Sequence, residues 1–96
     1  MHETPKLALF RLGRVVATPG ALSALEGAGD TPQRFLERHV SGDWGDLGED
    51  DRQENALSLE YSFRLLSVYY TTIGEKLWVI TEANREITTI LLPEDY

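Results

Sequence analysis

The stretch SFRLLSVYYTTIGEKLWVITEANREITTILLP, residues 62–93, decides the fold of this chain. It contains three runs rich in Val, Ile, Leu, Tyr, Trp and Thr, at 63–70, 76–82 and 87–92, separated by segments that hold Gly74 and Asn84. β-branched and aromatic side chains suit a pleated, half-buried surface, and Gly and Asn mark turns. The stretch therefore predicts a three-stranded antiparallel meander.

The turns of this meander also predict which side chains share a face. A loop at 72–75 sets Tyr70 opposite Leu77, and a tight turn at 83–86 sets Glu82 opposite Ile87. The face predicted to line the core then carries Leu66, Val68, Tyr70, Leu77, Val79, Ile90 and Leu92. Three polar residues lie at one end of this face: Arg64, Thr81 and Thr88. The opposite face carries Phe63, Leu65, Ser67, Tyr69, Trp78, Ile80, Thr89 and Leu91. It is too apolar to remain bare, so we expect a helix, a strand or a partner to cover it.

The segment before the meander predicts one extended stretch and three helices. Residues 7–17 form the extended stretch, which either pairs as a fourth strand or folds across the open face of the sheet. Thr18-Pro19 and Asp30-Thr31-Pro32 are helix starts, and Asp50 or Asp51 lies near the positive end of a third helix. The predicted fold is α+β, in a single domain of 96 residues: an N-terminal strand, three short helices, and the meander packed against the helices.

Charge and composition narrow the classes of function. The net charge is −7, divided as +2 over residues 1–20, −7 over 21–60 and −2 over 61–96. Because phosphate backbones attract Lys and Arg, an acidic chain is poorly suited to nucleic acid. The acidic segment 21–60 has two interpretations: it only keeps the protein soluble, or it binds a basic protein partner. The chain has no cysteine and no apolar run of about 20 residues, and its start lacks the pattern of a signal peptide. These features predict a cytoplasmic protein.

His39 is the residue best suited to catalysis near neutral pH. Two interpretations of it stay open. The first is a histidine at the edge of the core, bonded to a carboxylate or a carbonyl. The second joins His39 to Arg64, Thr81 and Thr88 as the site of a metal-independent ribonuclease, similar in outline to barnase and RelE-like enzymes. We expect no cofactor and no metal site, because the acidic positions do not match a calcium loop and the chain has too few His for zinc.

Four other residues are candidates for binding. Asp43 and Trp44 either close a turn and fill the core or form a recognition surface. Tyr69 and Trp78 are predicted to pair across two strands on the second face. If nothing covers that face, we expect a two-fold homodimer with Trp78 near its centre.

Two sequence blocks, RHVSGDWG at 38–45 and ITEANR with TTILLP between 80 and 93, resemble a family of short bacterial proteins carried on plasmids and integrated elements. The likeness spans residues 9–96, although the family usually has Asp where this chain has Asn84. No catalytic residue is established for the family. The resemblance implies a mobile-element context, in which small acidic proteins bind host or rival proteins. We therefore expect a non-catalytic interaction protein, with the ribonuclease as the alternative.

Overall fold

The computed structural model describes residues 7–96 and contains four strands and three helices. In chain order they are β1 (Arg14–Ala17), α1 (Pro19–Ala28), α2 (Pro32–Val40), α3 (Glu49–Tyr61), β2 (Leu65–Tyr70), β3 (Lys76–Thr81) and β4 (Ile87–Leu91). A 3₁₀ turn at Pro93–Asp95 follows β4. The α+β prediction is confirmed.

The sheet is larger than the predicted meander, because the N-terminal strand joins it. The strand order is β1-β4-β3-β2, with β1 parallel to β4 and the other pairs antiparallel. The predicted three-stranded antiparallel meander is present as β2-β3-β4, but the sheet that contains it has a fourth strand and one parallel pair. β1 pairs edge to edge, as one of the two placements foreseen for residues 7–17. A parallel partner is accessible because α1, α2 and α3 lie between β1 and the meander in sequence.

Local signals account for both ends of α1, whereas the start of α2 depends on a contact distant in sequence. The Thr18 hydroxyl accepts a hydrogen bond from the Ala21 amide at 3.1 Å, and Gly29 ends α1 with a φ of 70°. At the start of α2 the Thr31 side chain makes no such bond. The Asp30 carboxylate instead accepts from the Thr72 amide at 2.7 Å, which fastens the start of α2 to the β2–β3 loop.

The register of the first hairpin differs from the prediction by one residue. Tyr70 pairs with Lys76, whereas the second hairpin has the predicted register, with Thr81 opposite Thr88. The loop is shorter than expected because Thr71 and Glu75 already pair through a backbone bond of 2.8 Å, and Gly74, at a φ of 89°, completes a three-residue turn. The faces of β2 are therefore exchanged relative to those of β3 and β4.

This exchange changes the membership of the core. Beneath α1 and α2, one apolar cluster consists of Ala21, Ala24, Leu25, Phe35, Tyr69, Leu77, Val79 and Ile90. A second cluster, near the β2 edge, consists of Trp44, Leu47, Leu65 and Val68. The prediction that Leu66, Val68 and Tyr70 line the helix-covered face was wrong, since these three side chains point to the opposite face of the sheet. That second face is partly covered by the C-terminal turn, where Tyr96 contacts Trp78.

Polar groups form hydrogen bonds to the backbone along the outer edge of β2. The Asn55 side chain donates to the Leu66 carbonyl at 2.7 Å and accepts from the Leu66 amide at 3.1 Å, in the manner of a neighbouring strand. Gly45 forms an isolated parallel bridge with Val68. A Cβ at Gly45 would lie 2.0 Å from the Val68 carbonyl oxygen, so this approach needs glycine. The edge that would otherwise attract another strand is thereby occupied.

Replacing Asn55 with Ala is expected to destabilise the fold, because it leaves the Leu66 amide and carbonyl without their partner. The loss is roughly 1–3 kcal/mol for a buried polar group left unpaired. For a domain of this size each kcal/mol lowers the thermal midpoint by about 4–8 °C. Circular-dichroism melts of Asn55→Ala and of the exposed control Gln53→Ala, on the same helix, measure the effect. Equal midpoints for the two variants would contradict the role given to Asn55.

Candidate functional site

A chain of buried polar side chains lies between α2 and the sheet. His39 Nδ1 is 2.5 Å from Ser67 Oγ, and His39 Nε2 is 2.9 Å from Thr81 Oγ1. Thr81 Oγ1 is in turn 2.7 Å from Thr88 Oγ1, which donates to the Leu12 carbonyl at 2.8 Å. All four side chains have zero exposed area. Every polar atom of this cluster therefore has a partner inside the protein.

The donor and acceptor of each hydrogen bond in this series follow from the bond that Thr88 makes. Since the Thr88 hydroxyl gives its one proton to the Leu12 carbonyl, it accepts from Thr81. Thr81 has then used its proton, so it accepts from His39 Nε2–H. In a neutral imidazole Nδ1 is left as the acceptor of the Ser67 hydroxyl. The geometry therefore assigns His39 as the neutral Nε2–H tautomer.

Aromatic side chains close the cluster from the outside. The Phe10 ring meets His39 edge to face at a centroid distance of 5.1 Å, and Trp44 does so at 5.7 Å. The backbone next to Phe10 is held by a hydrogen bond, in which the Leu9 amide donates to the Val40 carbonyl at 2.7 Å. The imidazole consequently has no open path to solvent, and a substrate group has no place beside it.

Burial also sets the protonation of His39. Desolvation, followed by the charge of Arg85, lowers the pKa of His39 from 6.5 to about 3. The imidazole is therefore neutral across the physiological range and does not titrate near pH 7. This arrangement matches the interpretation of His39 as a core histidine, although its partners are the hydroxyls of Ser67 and Thr81 and not a carboxylate or a carbonyl. Its chemical effect is to fasten α2 to β2 and β3.

The structure gathers only part of the predicted catalytic set. His39, Thr81 and Thr88 come together, as expected from the sequence. Arg64 does not, because the exchanged faces of β2 place it on the other side of the sheet, with its guanidinium 5.7 Å from the centre of the Tyr96 ring. The predicted convergence of Arg64 with His39 was therefore wrong. Ser67 takes that place, and its only signal in the sequence was a lone small polar residue within an apolar strand.

The four candidate binding residues are dispersed. Asp43 pairs with Arg38 at 2.7 Å, and its carbonyl accepts from the Tyr69 hydroxyl at 2.5 Å. Trp44 is buried and stacks on Phe10. Tyr69 is also buried, and desolvation raises its pKa to about 12. The expected Tyr69–Trp78 pair was wrong, because Tyr69 lies opposite Leu77 and points to the helix-covered face, whereas Trp78 is half-buried on the second face.

Residues 7–96 contain no group of three or more His, Cys, Asp or Glu side chains placed to hold a metal ion. Within the same residues, no helix has the length and apolar character needed to cross a membrane.

The lowered pKa of His39 predicts a stability that depends on pH. Between about pH 6.5 and 3 the unfolded chain binds a proton at this position and the folded chain does not, so the free energy of unfolding falls as pH falls, by about 1.4 kcal/mol per unit. In a His2→Gln background, urea unfolding between pH 7.5 and 4.5 should show this slope. Adding His39→Gln should remove most of it, and an unchanged slope would contradict the assignment.

Comparison of the chain with protein-family models, with curated proteins and with solved structures gives no match. The resemblance to short plasmid-related proteins therefore stays a prediction from the two sequence blocks.

Proposed function

We propose that this chain is a non-catalytic interaction protein that binds a basic surface of another protein through the solvent side of α3. The observation that carries the proposal is the way this helix attaches to the sheet. Only Asn55 and Ser58 of α3 are fully buried, and both are polar. An amphipathic helix normally buries its apolar stripe. Here Leu57 and Tyr61 point outward, whereas Leu59 packs, partly buried, against the second core cluster.

The outward side of α3 forms a continuous apolar patch, which we call the α3 face. It consists of Leu57, Tyr61 and Phe63, which are 47%, 60% and 57% exposed. Leu57 and Tyr61 are four residues apart and so lie on one side of the helix. The Tyr61 and Phe63 rings are 6.4 Å apart between centroids, so the patch continues past the end of the helix. Aromatic side chains of this kind are enriched at the centres of protein interfaces.

Acidic side chains outnumber basic ones on the helix that carries most of the α3 face. The helix carries Glu49, Asp50, Asp51, Glu54 and Glu60 against a single base, Arg52. The Arg52 guanidinium is occupied by the Leu47 and Gly45 carbonyls, at 2.8 and 2.7 Å. The helix therefore presents a field of negative charge around an apolar centre. Such a surface is complementary to a partner with an apolar pocket and a rim of Lys or Arg, and the charge speeds their encounter.

The resemblance to bacterial mobile-element proteins suggests where the partner is found. It implies a protein of the host or of a rival element. The negative charge of α3 also supports a protein partner over a nucleic acid, because DNA and RNA would be repelled by the same field.

The ribonuclease alternative has less support. It needs an imidazole that reaches the substrate and titrates near neutral pH, together with a guanidinium beside it. His39 is sealed beneath Phe10 and Trp44, and Arg64 lies across the sheet from it. We therefore rank this function below the interaction protein.

Affinity capture from a bacterial lysate tests the α3 face. The parent protein should retain a basic partner that is released as salt rises, because screening weakens the charge attraction. Leu57→Ser and Tyr61→Ser should lose it by at least tenfold. The matched control is Leu22→Ser, where the leucine is 49% exposed on α1, a helix that packs on β4, whereas α3 packs on β2. Retention that is equal in Leu57→Ser and Leu22→Ser, or no retained protein with the parent, would contradict the proposal.

Incubation with RNA separates the two functions. We expect the purified protein to leave single-stranded and structured RNA intact, with and without divalent metal. Cleavage by the parent that disappears in His39→Gln, with the circular-dichroism spectrum unchanged, would restore the ribonuclease.

A further inference from the structure

The outer edge of β1 is open, in contrast to that of β2. The Arg14 and Thr18 amides donate to the Glu86 and Ile90 carbonyls at 2.8 and 3.0 Å, so these two amides point toward β4. Backbone groups alternate in direction along a strand, which turns the amides and carbonyls of Val15 and Ala17 away from the sheet. Within residues 7–96 those outward groups make no hydrogen bond to another element. Val15 is also 41% exposed.

We propose that a second copy of this chain pairs with this edge, β1 antiparallel to β1 about a two-fold axis, to give a continuous eight-stranded sheet. One register suits the outward groups. Val16 faces Val16 of the second copy on the axis, and Val15 faces Ala17 of the second copy on either side. Val15 and Ala17 then exchange both of their backbone bonds, as a hydrogen-bonded antiparallel pair does. Pro19 has no amide to add beyond Ala17, which limits the edge to these residues.

Charge complementarity in this register indicates that the strand paired with the β1 edge comes from a second copy of this chain. Arg14 is exposed and forms no ion pair within residues 7–96. The register sets it directly opposite Thr18 of the second copy. The Thr18 hydroxyl donates to Asp95 Oδ2 at 2.6 Å, so a carboxylate stands at that position. The two-fold axis repeats the Arg14–Asp95 pair on the other side.

Arg14 and Asp95 also lie on the same side of the sheet, as this pairing requires. Arg14 is in register with Ile87, whose side chain shares the second face with Trp78 and Leu91. The turn Pro93–Asp95 leads to Tyr96, which contacts Trp78 on that same face. The two Arg14 side chains of the dimer do not repel each other strongly, because four residues of strand, about 13 Å, separate them. That distance exceeds the Debye length of about 8 Å at physiological salt.

This interface is separate from the α3 face. β1 and β2 are the two outer strands of the sheet, and α3 packs on β2. A dimer through β1 therefore leaves both α3 faces open for a partner. It also differs from the homodimer predicted from the sequence, since Trp78 lies on β3, two strands from the proposed axis.

A charge exchange between two variants tests the register by analytical ultracentrifugation. The parent should sediment as a dimer at tens of micromolar. Arg14→Glu alone and Asp95→Arg alone should each weaken self-association by at least tenfold, because each sets like charges opposite each other twice. An equimolar mixture of the two variants should recover the dimer, since every pair in the mixed dimer again joins opposite charges.

Val15→Pro provides an independent test of the backbone pairing. Proline is tolerated on a strand edge where its missing amide faces outward, so the monomer should fold and keep its circular-dichroism spectrum while the dimer is lost. A parent that is monomeric at tens of micromolar would overturn the proposal. So would a dimer that persists in Val15→Pro and Arg14→Glu but is lost in Trp78→Glu, or a mixture that stays monomeric. None of these outcomes depends on whether the α3 face binds a partner.

Discussion

The hydrogen bonds of His39 are the constraint on which the rest of the structure depends. A buried imidazole needs a partner at each nitrogen, because an unpaired polar group in the core costs roughly 1–3 kcal/mol. Thr81 meets this need from β3 and Ser67 from β2. A slip of β2 by one residue would turn Ser67 outward and bring Leu66 or Val68 against Nδ1. The polar chain therefore fixes the position of α2 and the register of β2 together.

The two edges of the sheet differ in how their backbone groups are covered, and this difference produces the two surfaces that we propose for binding. On β2, the amide of Asn55 and the Gly45 bridge satisfy the backbone. Using polar residues for this attachment leaves Leu57 and Tyr61 of α3 exposed on a helix rich in carboxylates. On β1 the outward groups of Val15 and Ala17 have no comparable cover among residues 7–96. We therefore propose that one edge supplies a charged docking face and the other a site for strand pairing.

The sequence predicts those parts of the fold that local chemistry determines. Thr18 and Gly29 mark the ends of α1, and the second hairpin has the predicted register. The first hairpin does not, because a three-residue loop closed by Gly74 and a four-residue loop are equally consistent with the residues there. Because the register of the first hairpin differs from the prediction by one residue, Ser67 and not Arg64 lies beside His39. The parallel pairing of β1 and the polar docking of α3 depend on contacts distant in sequence, which periodicity does not reveal.

Nitrogen-resolved NMR of the His39 ring tests the central claim most directly, that this imidazole is a buried structural group and not an acid–base catalyst. The account predicts the Nε2–H tautomer, with ring chemical shifts that stay constant from pH 8 to 4.5, because the pKa of His39 is lowered to about 3. A titration midpoint near pH 6.5, or an Nδ1–H tautomer, would contradict it.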